Sequence, residues 1–364
     1  IQPLREQKRR REYYNLAADV QQRVAKEELD VFVDEVETRL FDLRKLKHDT
    51  NANTRVESFT RVQDMLLEAH NGRGIMGLRT GYDEMDKVLC GLRGGQLITI
   101  AARTSVGKTT LAMNISEYLV MTEKVPVAFF SLEMSEDELN TRMLSSYIGV
   151  NMQSFINHEY DEQQRMQVID QAAKAIPTLN AAPLVINSRT DITISQIRAE
   201  ARRMVKNKGI KAVVVDYLQL VKPNGRGGNR VQDVGEISRG LKRMALELDV
   251  PVLALAQLNR AVENENRAPR LADLRESGSI EADSDVVMMI YCEDEMMKIE
   301  GRKLCQIGVA KNRAGCQAKF DIVFNRDVAK FESCSKHPDL ISLAEEIVVK
   351  KTKPKFVKSL KKSA

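Results

Sequence analysis

The sequence predicts an α/β fold in which a mostly parallel sheet lies between layers of helices. Two observations support this class: short apolar segments rich in β-branched residues, and helix-like segments that separate the earlier ones. Such alternation is typical of parallel sheets that are covered on both faces. The predicted strands are residues 97–101, 125–130, 211–215, 252–256, 286–291, 306–310 and 320–324. The predicted helices are residues 109–121, 136–147, 195–206 and 231–248. Capping boxes at Ser135 with Glu138 and at Thr193 with Gln196 mark two helix starts.

Two helical segments are predicted ahead of the sheet. Residues 5–47 carry a helical stripe of apolar side chains, and the polar segment 50–54 is a candidate linker. Residues 58–71 form a short amphipathic helix. Its apolar face consists of Val62, Met65, Leu66 and Ala69. This face must be buried, either on the helix's own domain or on a neighbouring subunit, and the spacing does not choose between the two.

Composition excludes membrane and secreted classes. Hydrophobic residues make up 43% and charged residues 29% of the 364 residues, so most of the chain can bury a core. No run approaches the ~20 continuous apolar residues that a membrane helix needs, and no signal-peptide pattern opens the sequence. The five cysteines are odd in number and widely spaced, which argues against a disulfide framework or a zinc site. These features favour a cytoplasmic protein in a reducing compartment.

The net charge of +5 is concentrated near one end of the chain. Residues 350–362 contain seven lysines and no acid, and removing those seven charges from +5 leaves −2 for the rest. This tail is predicted to be a solvated end, with an arm for an anionic partner as the alternative. Aromatic residues make up 5%, with no tryptophan, so a base-stacking platform for single strands is not expected.

The strongest local signal is a phosphate-binding loop. The segment 102–109, ARTSVGKT, follows a predicted strand and opens a predicted helix, which is the context that a P-loop requires. Its backbone N–H groups would cradle phosphates, Lys108 would reach the β- and γ-phosphates of ATP, and the Thr109 hydroxyl would bind Mg²⁺. The predicted nucleotide-binding residues of the loop are Ser105, Val106, Gly107, Lys108, Thr109 and Thr110.

Two residues of this loop, Ala102 and Lys108, carry specific structural expectations. Ala102 stands where the first glycine of the pattern is usual. An alanine there must avoid a positive φ or adopt it at a cost in energy. Lys108 is expected in a solvated loop, so its replacement by alanine should leave folding intact.

Three further residues lie at or just past the ends of predicted strands, where open α/β sheets bind ligands. Asp216 closes an apolar strand, the pattern of a Walker-B aspartate that holds Mg²⁺ through water; a turn or cap aspartate is the alternative. Glu133 could polarise the attacking water, unless it is only an exposed glutamate before a helix. Gln257 suits sensing of the γ-phosphate, with a surface glutamine as the alternative. Arg142, in the helix after Glu133, is a weaker candidate for phosphate contact.

Five segments together resemble the RecA-like motor domain of replicative DNA helicases of the DnaB family. They are ARTSVGKT at 102–109, SLEMS at 131–135, VDYLQL at 215–220, AQLNR at 256–260 and DLRESGSIE at 273–281. Their order and spacing match over residues 78–331. The resemblance implies a RecA-like P-loop NTPase core, with the ATPase roles above carried over to Lys108, Thr109, Glu133, Asp216 and Gln257. Arg142 matches an arginine near the family's nucleotide site.

The same resemblance implies the organisation and partners of the chain. Residues 1–49 would be the helical hairpin that ends an N-terminal domain whose globular start is missing, and 50–77 a linker with its helix. Residues 78–335 would be the ATPase and helicase domain, followed by the basic tail 336–364. A homo-hexameric ring would encircle single-stranded DNA, move 5′ to 3′ by ATP hydrolysis, and meet a helicase loader and a primase. The setting would be a bacterial cell or a phage-infected host.

The resemblance also implies a pair of cations that act in trans. Lys311 and Arg313, in the segment AKNRAG at 310–315, match the family's trans-acting basic pair. A short hairpin with Gly315 could push both into the ATP site of the next subunit, where an arginine finger contributes about 10³-fold or more in rate. The alternative is a basic hairpin tip in solvent.

Two loops match the DNA loops of the family. The glycine-rich segment 224–230 is the first, with a mobile surface loop as its alternative, and the second lies at 275–278. Backbone amides and arginines there could hold successive phosphates, which gives sequence-independent, salt-sensitive binding. Glu276 could orient Arg275 or use its backbone N–H. The predicted DNA-binding residues are Gly225, Arg226, Arg230, Arg275, Glu276 and Gly278.

Two alternatives to a helicase remain at this point. A recombinase-type RecA-like protein would share the P-loop, Asp216 and Glu133, but it would form open-ended filaments, whereas a ring closes at a fixed size. A non-motor adaptor would use ATP only to stabilise assembly. Glu133 and Arg313 argue against the adaptor, because a module that only binds needs neither.

Overall fold

The computed structural model describes most of the chain from residue 77 onward and parts of what precedes it. The described residues are 2–25, 77–223, 228–259, 267–274, 278–292, 298–299 and 301–337, with helical positions at 32, 36, 39, 40, 43, 59, 60, 62, 63, 66, 67 and 70. The polar linker 50–54, the tail beyond residue 337 and most of both predicted DNA loops lie outside them. Within these ranges, no helix is long and apolar enough to cross a membrane.

The centre of the molecule is a sheet to which the described residues contribute ten strands. They are β1 (Leu97–Ala102), β2 (Val127–Ser131), β3 (Leu184–Asn187), β4 (Ala212–Asp216), β5 (Val252–Gln257), β6 (Val286–Tyr291), β7 (Lys298–Ile299), β8 (Arg302–Asn312), β9 (Ala318–Asn325) and β10 (Lys330–Ser333). Their order is β10-β9-β8-β6-β1-β5-β4-β2-β3, with β7 paired to β8. The strands from β6 to β3 in this order are parallel, and β7 to β10 add antiparallel pairs on one side.

Helices cover both faces of this sheet. The helices are α1 (Gln2–Arg23), α2 (Asp83–Leu89), α3 (Lys108–Met121), α4 (Glu136–Ile148), α5 (Met152–Ile156), α6 (Glu162–Asn180), α7 (Ile194–Lys208), α8 (Arg230–Leu248) and α9 (Gly278–Asp283). Alternate residues of β1 face two cores, because side chains of a strand point to opposite faces. Ile98 and Ile100 pack with α2, α3 and α4, whereas Leu97 and Ala101 pack with α7, α8 and α9. The predicted fold class is confirmed.

The elements that the sequence analysis missed lie mainly at the edges. β3 is the last strand of the sheet and is half-buried along its length, so it lacks a continuous apolar signature. α6 contains Pro177 and buries only Val168 and Ala175, which weakens its periodicity. Both predicted capping boxes are present, and α6 begins with a third, formed by Asp161 and Gln164.

The cysteine spacing argued against disulfides, but one pair is bonded. Cys292, just past β6, and Cys305, in β8, form a disulfide with Cα atoms 4.3 Å apart. The antiparallel register of β6 and β8 places Tyr291 opposite Gln306, so residues 292 and 305 form the next cross-strand pair. Strand pairing is a tertiary contact, and the spacing of cysteines along the chain does not reveal it.

Helical residues after α1 pack back against its end. Asp19 of α1 pairs with Arg23 at 3.0 Å and with Arg39 at 2.5 Å. The guanidinium of Arg23 also lies 5.4 Å from the ring centroid of Phe32, which is buried. These contacts hold two helical stretches of the predicted N-terminal segment together.

The second predicted helical segment presents apolar side chains to solvent. Val62 and Leu66, from the predicted apolar face, are 43% and 61% exposed. Phe59 and Leu67 on the same segment are exposed as well. Among the residues that the structure describes, these side chains therefore form an uncovered apolar surface.

Candidate active site

The predicted phosphate-binding loop connects β1 directly to α3. Gly107 precedes α3 with a φ of +97°. A Cβ at this position would lie 3.0 Å from the Phe331 ring and 3.1 Å from the Phe324 ring. The positive φ favours glycine, and the close approach leaves room for a Cβ only if the two rings shift. The first turn of α3 has backbone N–H groups without intrahelical acceptors, and such groups form an anion cradle.

Ala102 fits the loop without a positive φ. It is the last residue of β1, is buried, and pairs in parallel register with Gln257 of β5. The left-handed conformation falls on Ser105 instead, with a φ of +62°. Extended backbone suits alanine as well as glycine, so this departure from the usual motif carries no conformational cost.

Lys108, Thr109 and Asp216 converge at the carboxyl ends of β1 and β4. The Thr109 hydroxyl donates to Asp216 Oδ2 at 2.6 Å, and Lys108 Nζ lies 3.9 Å from Asp216 Oδ1. The Lys108 ammonium also lies 4.0 Å from the centroid of the Tyr217 ring. The expectation that Lys108 lies in a solvated loop is wrong, because it is the first residue of α3 and its side chain is 11% exposed.

Burial dominates the electrostatics of this cluster. It lowers the pKa of the Lys108 ammonium below its ordinary value, while Asp216 and then Glu133 act in the opposite direction. Burial likewise raises the pKa of the Asp216 carboxyl, opposed by Lys108 and by the hydrogen bond from Thr109. The charged pair is thus held in a site with little water, where an added phosphate or cation would interact strongly.

The second oxygen of Asp216 is a candidate cation ligand, because its 3.9 Å contact with Lys108 Nζ is too long for a hydrogen bond. This oxygen, Oδ1, is buried and accepts no hydrogen bond within the described part of the chain. Mg²⁺ takes oxygen ligands and usually combines one or two protein groups with phosphates and water. The Thr109 hydroxyl and the Asp216 carboxylate fit a magnesium ion that is shared with the phosphates of a nucleotide.

Glu133 and Arg142 lie at the rim of the same site. Both are exposed, Glu133 just past β2 and Arg142 on α4. Glu133 is close enough to raise the pKa values of Lys108 and Asp216, and Arg142 is close enough to lower that of Asp216. The structure therefore brings four predicted residues together at the carboxyl ends of the strands. They are Lys108, Glu133, Arg142 and Asp216.

Gln257 is linked to both the loop and a second glutamine. Its side-chain Nε2 donates to Thr104 Oγ1 at 3.4 Å. Gln219, which is buried, binds the backbone of Gln257 twice, donating from Nε2 to its carbonyl at 3.2 Å and accepting from its N–H at 3.3 Å. Arg230 Nη2 in turn donates to the carbonyl of Gln219 at 2.6 Å. A continuous set of hydrogen bonds thus runs from the phosphate loop to the start of α8.

Two of the predicted DNA-binding residues are described, and they begin neighbouring helices. Arg230 is the first residue of α8, and Gly278 is the first residue of α9, exposed with open space around it. The two helices pack closely, since a Cβ on Gly235 of α8 would lie 2.8 Å from the Ser279 hydroxyl of α9. Gly225, Arg226, Arg275 and Glu276 lie outside the described residues.

The two predicted trans-acting cations contact their own chain. Lys311 is near the end of β8 and Arg313 begins the turn to β9, which agrees with the predicted hairpin. Lys311 Nζ donates to the carbonyls of Glu281 and Ala282. Arg313 donates from Nη2 to the Ala282 carbonyl and from Nη1 to Asp285 Oδ1 at 3.3 Å. Arg313 remains 50% exposed. It is therefore not simply a hairpin tip in solvent, and its side chain is bound to its own chain rather than extended for a role in trans.

Sequence reasoning missed three residues that organise this site: Tyr217, Gln219 and Asp285. Tyr217 covers Lys108, Gln219 holds the backbone of Gln257, and Asp285 binds Arg313. Tyr217 and Gln219 lie in the segment 215–220 that follows Asp216, which was a usable signal. Asp285 stands alone before β6, and nothing in its sequence context points to its partners.

The chain is similar to known proteins in both sequence and structure. Residues 77–333 match the family model described as the DnaB-like helicase C terminal domain. The replicative DNA helicase DnaB of Geobacillus stearothermophilus is 36% identical over 317 residues, covering 86% of this chain and 69% of that protein. The replicative DNA helicase DnaC of Bacillus subtilis is 35% identical, covering 84% and 69%. A solved DnaB-like replicative helicase, studied with its interactions with primase, superposes with a TM-score of 0.75 at 26% identity, covering 91% of this chain and 78% of that one.

Proposed function

The chain belongs to the DnaB-like helicase family, and from this we propose that it unwinds DNA as an ATP-driven, Mg²⁺-dependent ring. It is a replicative DNA helicase, an enzyme that hydrolyses nucleoside triphosphates. We further propose that the nucleotide is ATP, that subunits close into a hexamer around single-stranded DNA, and that movement runs 5′ to 3′.

The observation that carries the proposal is the convergence of Lys108, Thr109 and Asp216. A buried lysine, a hydroxyl and a carboxylate with one oxygen that accepts no hydrogen bond meet at the N-terminus of α3. This arrangement suits a triphosphate with its cation, because the helix start and Lys108 bind phosphate oxygens while the two oxygen ligands bind the metal. When bound, Mg²⁺ supplies neutralisation of the charge that develops on the phosphates.

The remaining site residues have distinct proposed roles in hydrolysis. Glu133 at the rim orients and polarises the attacking water, and its exposure leaves room for that water. Arg142 contacts the phosphates from α4. Gln257 senses the γ-phosphate, and Gln219 holds the Gln257 backbone in place. The proposed nucleotide contacts also include backbone groups of Ser105, Val106, Gly107 and Thr110.

Lys311 and Arg313 are proposed to complete the ATP site of the next subunit. Both lie at the tip region between β8 and β9, and half of the Arg313 side chain is exposed. A cation supplied across an interface stabilises the charge of the transition state. Hydrolysis would then require assembled neighbours, as a ring provides.

DNA is proposed to contact the loops that lead into α8 and α9. The contacts would come from Gly225, Arg226, Arg230, Arg275, Glu276 and Gly278. Phosphate contacts of this kind do not depend on base sequence, as a helicase that copes with any template needs. The exposed face with Val62 and Leu66 would dock on a neighbouring subunit.

The proposed partners and domain division follow the family. A primase is proposed because the matched DnaB-like helicase was studied with its primase, and a helicase loader by the resemblance alone. Residues 1–49 are proposed as a helical hairpin and 50–77 as a linker. Residues 78–335 would form the ATPase and helicase domain, followed by the basic tail.

The test is ATP turnover with and without single-stranded DNA, together with strand displacement on a forked duplex that has a 5′ tail. We expect DNA-stimulated turnover and displacement from the 5′ tail, and none from a matched fork with only a 3′ tail. Turnover without displacement from either fork would contradict the motor. Displacement from the 3′ tail alone would contradict the polarity.

The alternatives from the sequence are not favoured. A recombinase-type filament protein shares the P-loop, but the relatives of this chain are replicative helicases that match over most of its length. Electron microscopy on single-stranded DNA separates the two, because closed rings of one size support the helicase and open filaments the recombinase. Steady-state turnover excludes an adaptor that only binds ATP.

A further inference from the structure

The ring of Tyr217 lies against the charged end of Lys108. The Lys108 ammonium is 4.0 Å from the centroid of that ring. It is 3.9 Å from Asp216 Oδ1, which is too long for a hydrogen bond, and the Lys108 side chain is 11% exposed. The π electrons of an aromatic face attract a cation, and they do so more strongly where water is excluded. The ring therefore contributes directly to the position of the ammonium.

The carboxylate beside Lys108 has other partners. Asp216 Oδ2 accepts a hydrogen bond from the Thr109 hydroxyl at 2.6 Å. The same carboxylate is the proposed ligand of Mg²⁺. A buried ammonium is costly unless its charge is compensated. The Tyr217 ring supplies an attraction for which neither Thr109 nor a metal ion competes.

A neutral ring suits a phosphate site better than a second acid would. An ammonium has three N–H donors, and Lys108 is proposed to use them on phosphate oxygens. A carboxylate in the place of Tyr217 would also attract the lysine, but its negative charge would repel the phosphates. The ring attracts the cation and carries no net charge, so it steadies Lys108 without weakening the anion site.

The backbone on both sides of Tyr217 is fixed. Asp216 is the last residue of β4, and the Leu218 side chain is fully buried. Gln219 is hydrogen-bonded twice to the backbone of Gln257. The Tyr217 ring itself is partly buried and packs against the core on the side of the sheet that carries α3. The ring is thus presented to Lys108 from a rigid support, as a precise site requires.

We propose that Tyr217 is a positioning residue for nucleotide binding, whose ring face holds the Lys108 ammonium where it meets the phosphates. This inference rests on the proposed function, because it takes phosphate binding by Lys108 from there. It differs from a packing role, in which the size of the ring matters and its π electrons do not. It also differs from a direct contact between the Tyr217 hydroxyl and the nucleotide.

The test measures the affinity of the full chain for a non-hydrolysable ATP analogue with Mg²⁺. Tyr217→Phe keeps the ring face and should bind within about twofold of wild type. Tyr217→Leu removes the face and should bind about tenfold more weakly, as expected for the loss of a cation–π contact away from water. Tyr147→Leu replaces an exposed tyrosine of α4 and should bind as wild type does. Because binding is measured, the result does not depend on strand displacement, which tests the proposed function separately.

Two further comparisons separate the π electrons from packing. Phenylalanines that carry an increasing number of fluorine atoms, placed at position 217, weaken the negative face of the ring while nearly preserving its size. Affinity should fall stepwise along this series. In a Lys108→Ala background, Tyr217→Leu should cost little further affinity, because the partner of the ring has been removed.

Four outcomes would overturn the inference. They are wild-type affinity in Tyr217→Leu, equal losses in Tyr217→Phe and Tyr217→Leu, equal affinity along the fluorinated series, and a cost of Tyr217→Leu that is the same with and without Lys108. Equal losses in the first two variants would assign the effect to the hydroxyl, and a flat series would assign it to packing. If Tyr217→Leu does not fold, the fluorinated series decides, because it keeps the ring in place.

Discussion

At the scale of single residues, Lys108 should separate catalysis from folding. Its ammonium is nearly buried and burial lowers its pKa, so its charge adds little to stability. We expect Lys108→Ala to lower ATP turnover at least ~10²-fold, the usual effect of losing one donor aimed at developing charge. The melting temperature should move by a few degrees at most. Lys211→Ala, an exposed lysine before β4, is the matched control, and retained turnover in Lys108→Ala would remove the assigned site.

Asp216 should make binding of Mg²⁺ with nucleotide depend on pH. Burial raises the pKa of its carboxyl above the ordinary 3.8, so it takes up a proton at higher pH than an exposed aspartate does. A protonated carboxyl is a poor metal ligand. Calorimetric titration with a non-hydrolysable ATP analogue and Mg²⁺ should show affinity falling on acidification. Asp216→Asn should bind weakly without this pH dependence; a wild-type affinity that is equally flat would contradict the assignment.

The raised pKa of Asp216 has the opposite effect on the stability of the nucleotide-free chain: acidification favours folding where it weakens Mg²⁺ binding. A carboxyl with a raised folded pKa binds protons more tightly when folded, so its contribution to stability is greatest at acid pH. That contribution is lost as pH rises from 3.8 through the folded pKa. Denaturant unfolding should therefore show wild type losing stability relative to Asp216→Asn over this interval, and a constant difference would show that the pKa is not raised.

At the scale of elements, the turn from β1 into α3 depends on Gly107. Gly107→Ala places an alanine at a strained φ of +97°. Its Cβ would lie 3.0 Å from the Phe331 ring and 3.1 Å from the Phe324 ring, which is closer than ordinary van der Waals contact. Gly149→Ala is a matched control, because its φ is +71° but a Cβ there meets nothing within 4 Å. We expect about 1–2 kcal/mol of destabilisation for the control from φ alone, and more for Gly107→Ala. Denaturant unfolding measures both.

Nucleotide affinity separates these two variants further. Gly107→Ala should lose binding because the backbone N–H groups of the loop are displaced, whereas Gly149→Ala should bind normally. Equal stability losses with normal binding in both would show that the Phe324 and Phe331 rings move aside. The stacked rings have centroids 4.4 Å apart and are buried, which leaves them little room to do so.

At the scale of the whole molecule, the proposed trans role of Arg313 predicts complementation between inactive subunits. Arg313→Ala and Glu133→Ala should each be inactive alone, because each removes one half of a shared ATP site. Mixing them should restore part of the ATP turnover, since some interfaces then pair an intact Glu133 with an intact Arg313. Mixing Arg313→Ala with Lys311→Ala is the control, because both defects lie on the same side of the interface. Absence of rescue at every ratio would indicate that Arg313 acts within its own chain.

Local chemistry was readable from the sequence because it depends on neighbours along the chain. The P-loop, the carboxylate that closes β4 and the helix caps are patterns of a few residues, and the apolar runs of central strands reflect burial on both faces. The fold class and the cluster of Lys108, Thr109 and Asp216 followed from these patterns. Edge elements such as β3 and α6 did not, because partial burial leaves a weak signature.

By itself, the sequence determined the fold class and the family, and it predicted Lys108, Thr109 and Asp216 as members of one candidate site. Tertiary structure decided what surrounds them. Burial of Lys108 under Tyr217, the bond between Cys292 and Cys305, and the ion pair of Arg313 with Asp285 all join segments that are distant along the chain. The physical reason is that the order and pairing of the strands bring these distant residues together, and that order depends on contacts across the whole sheet.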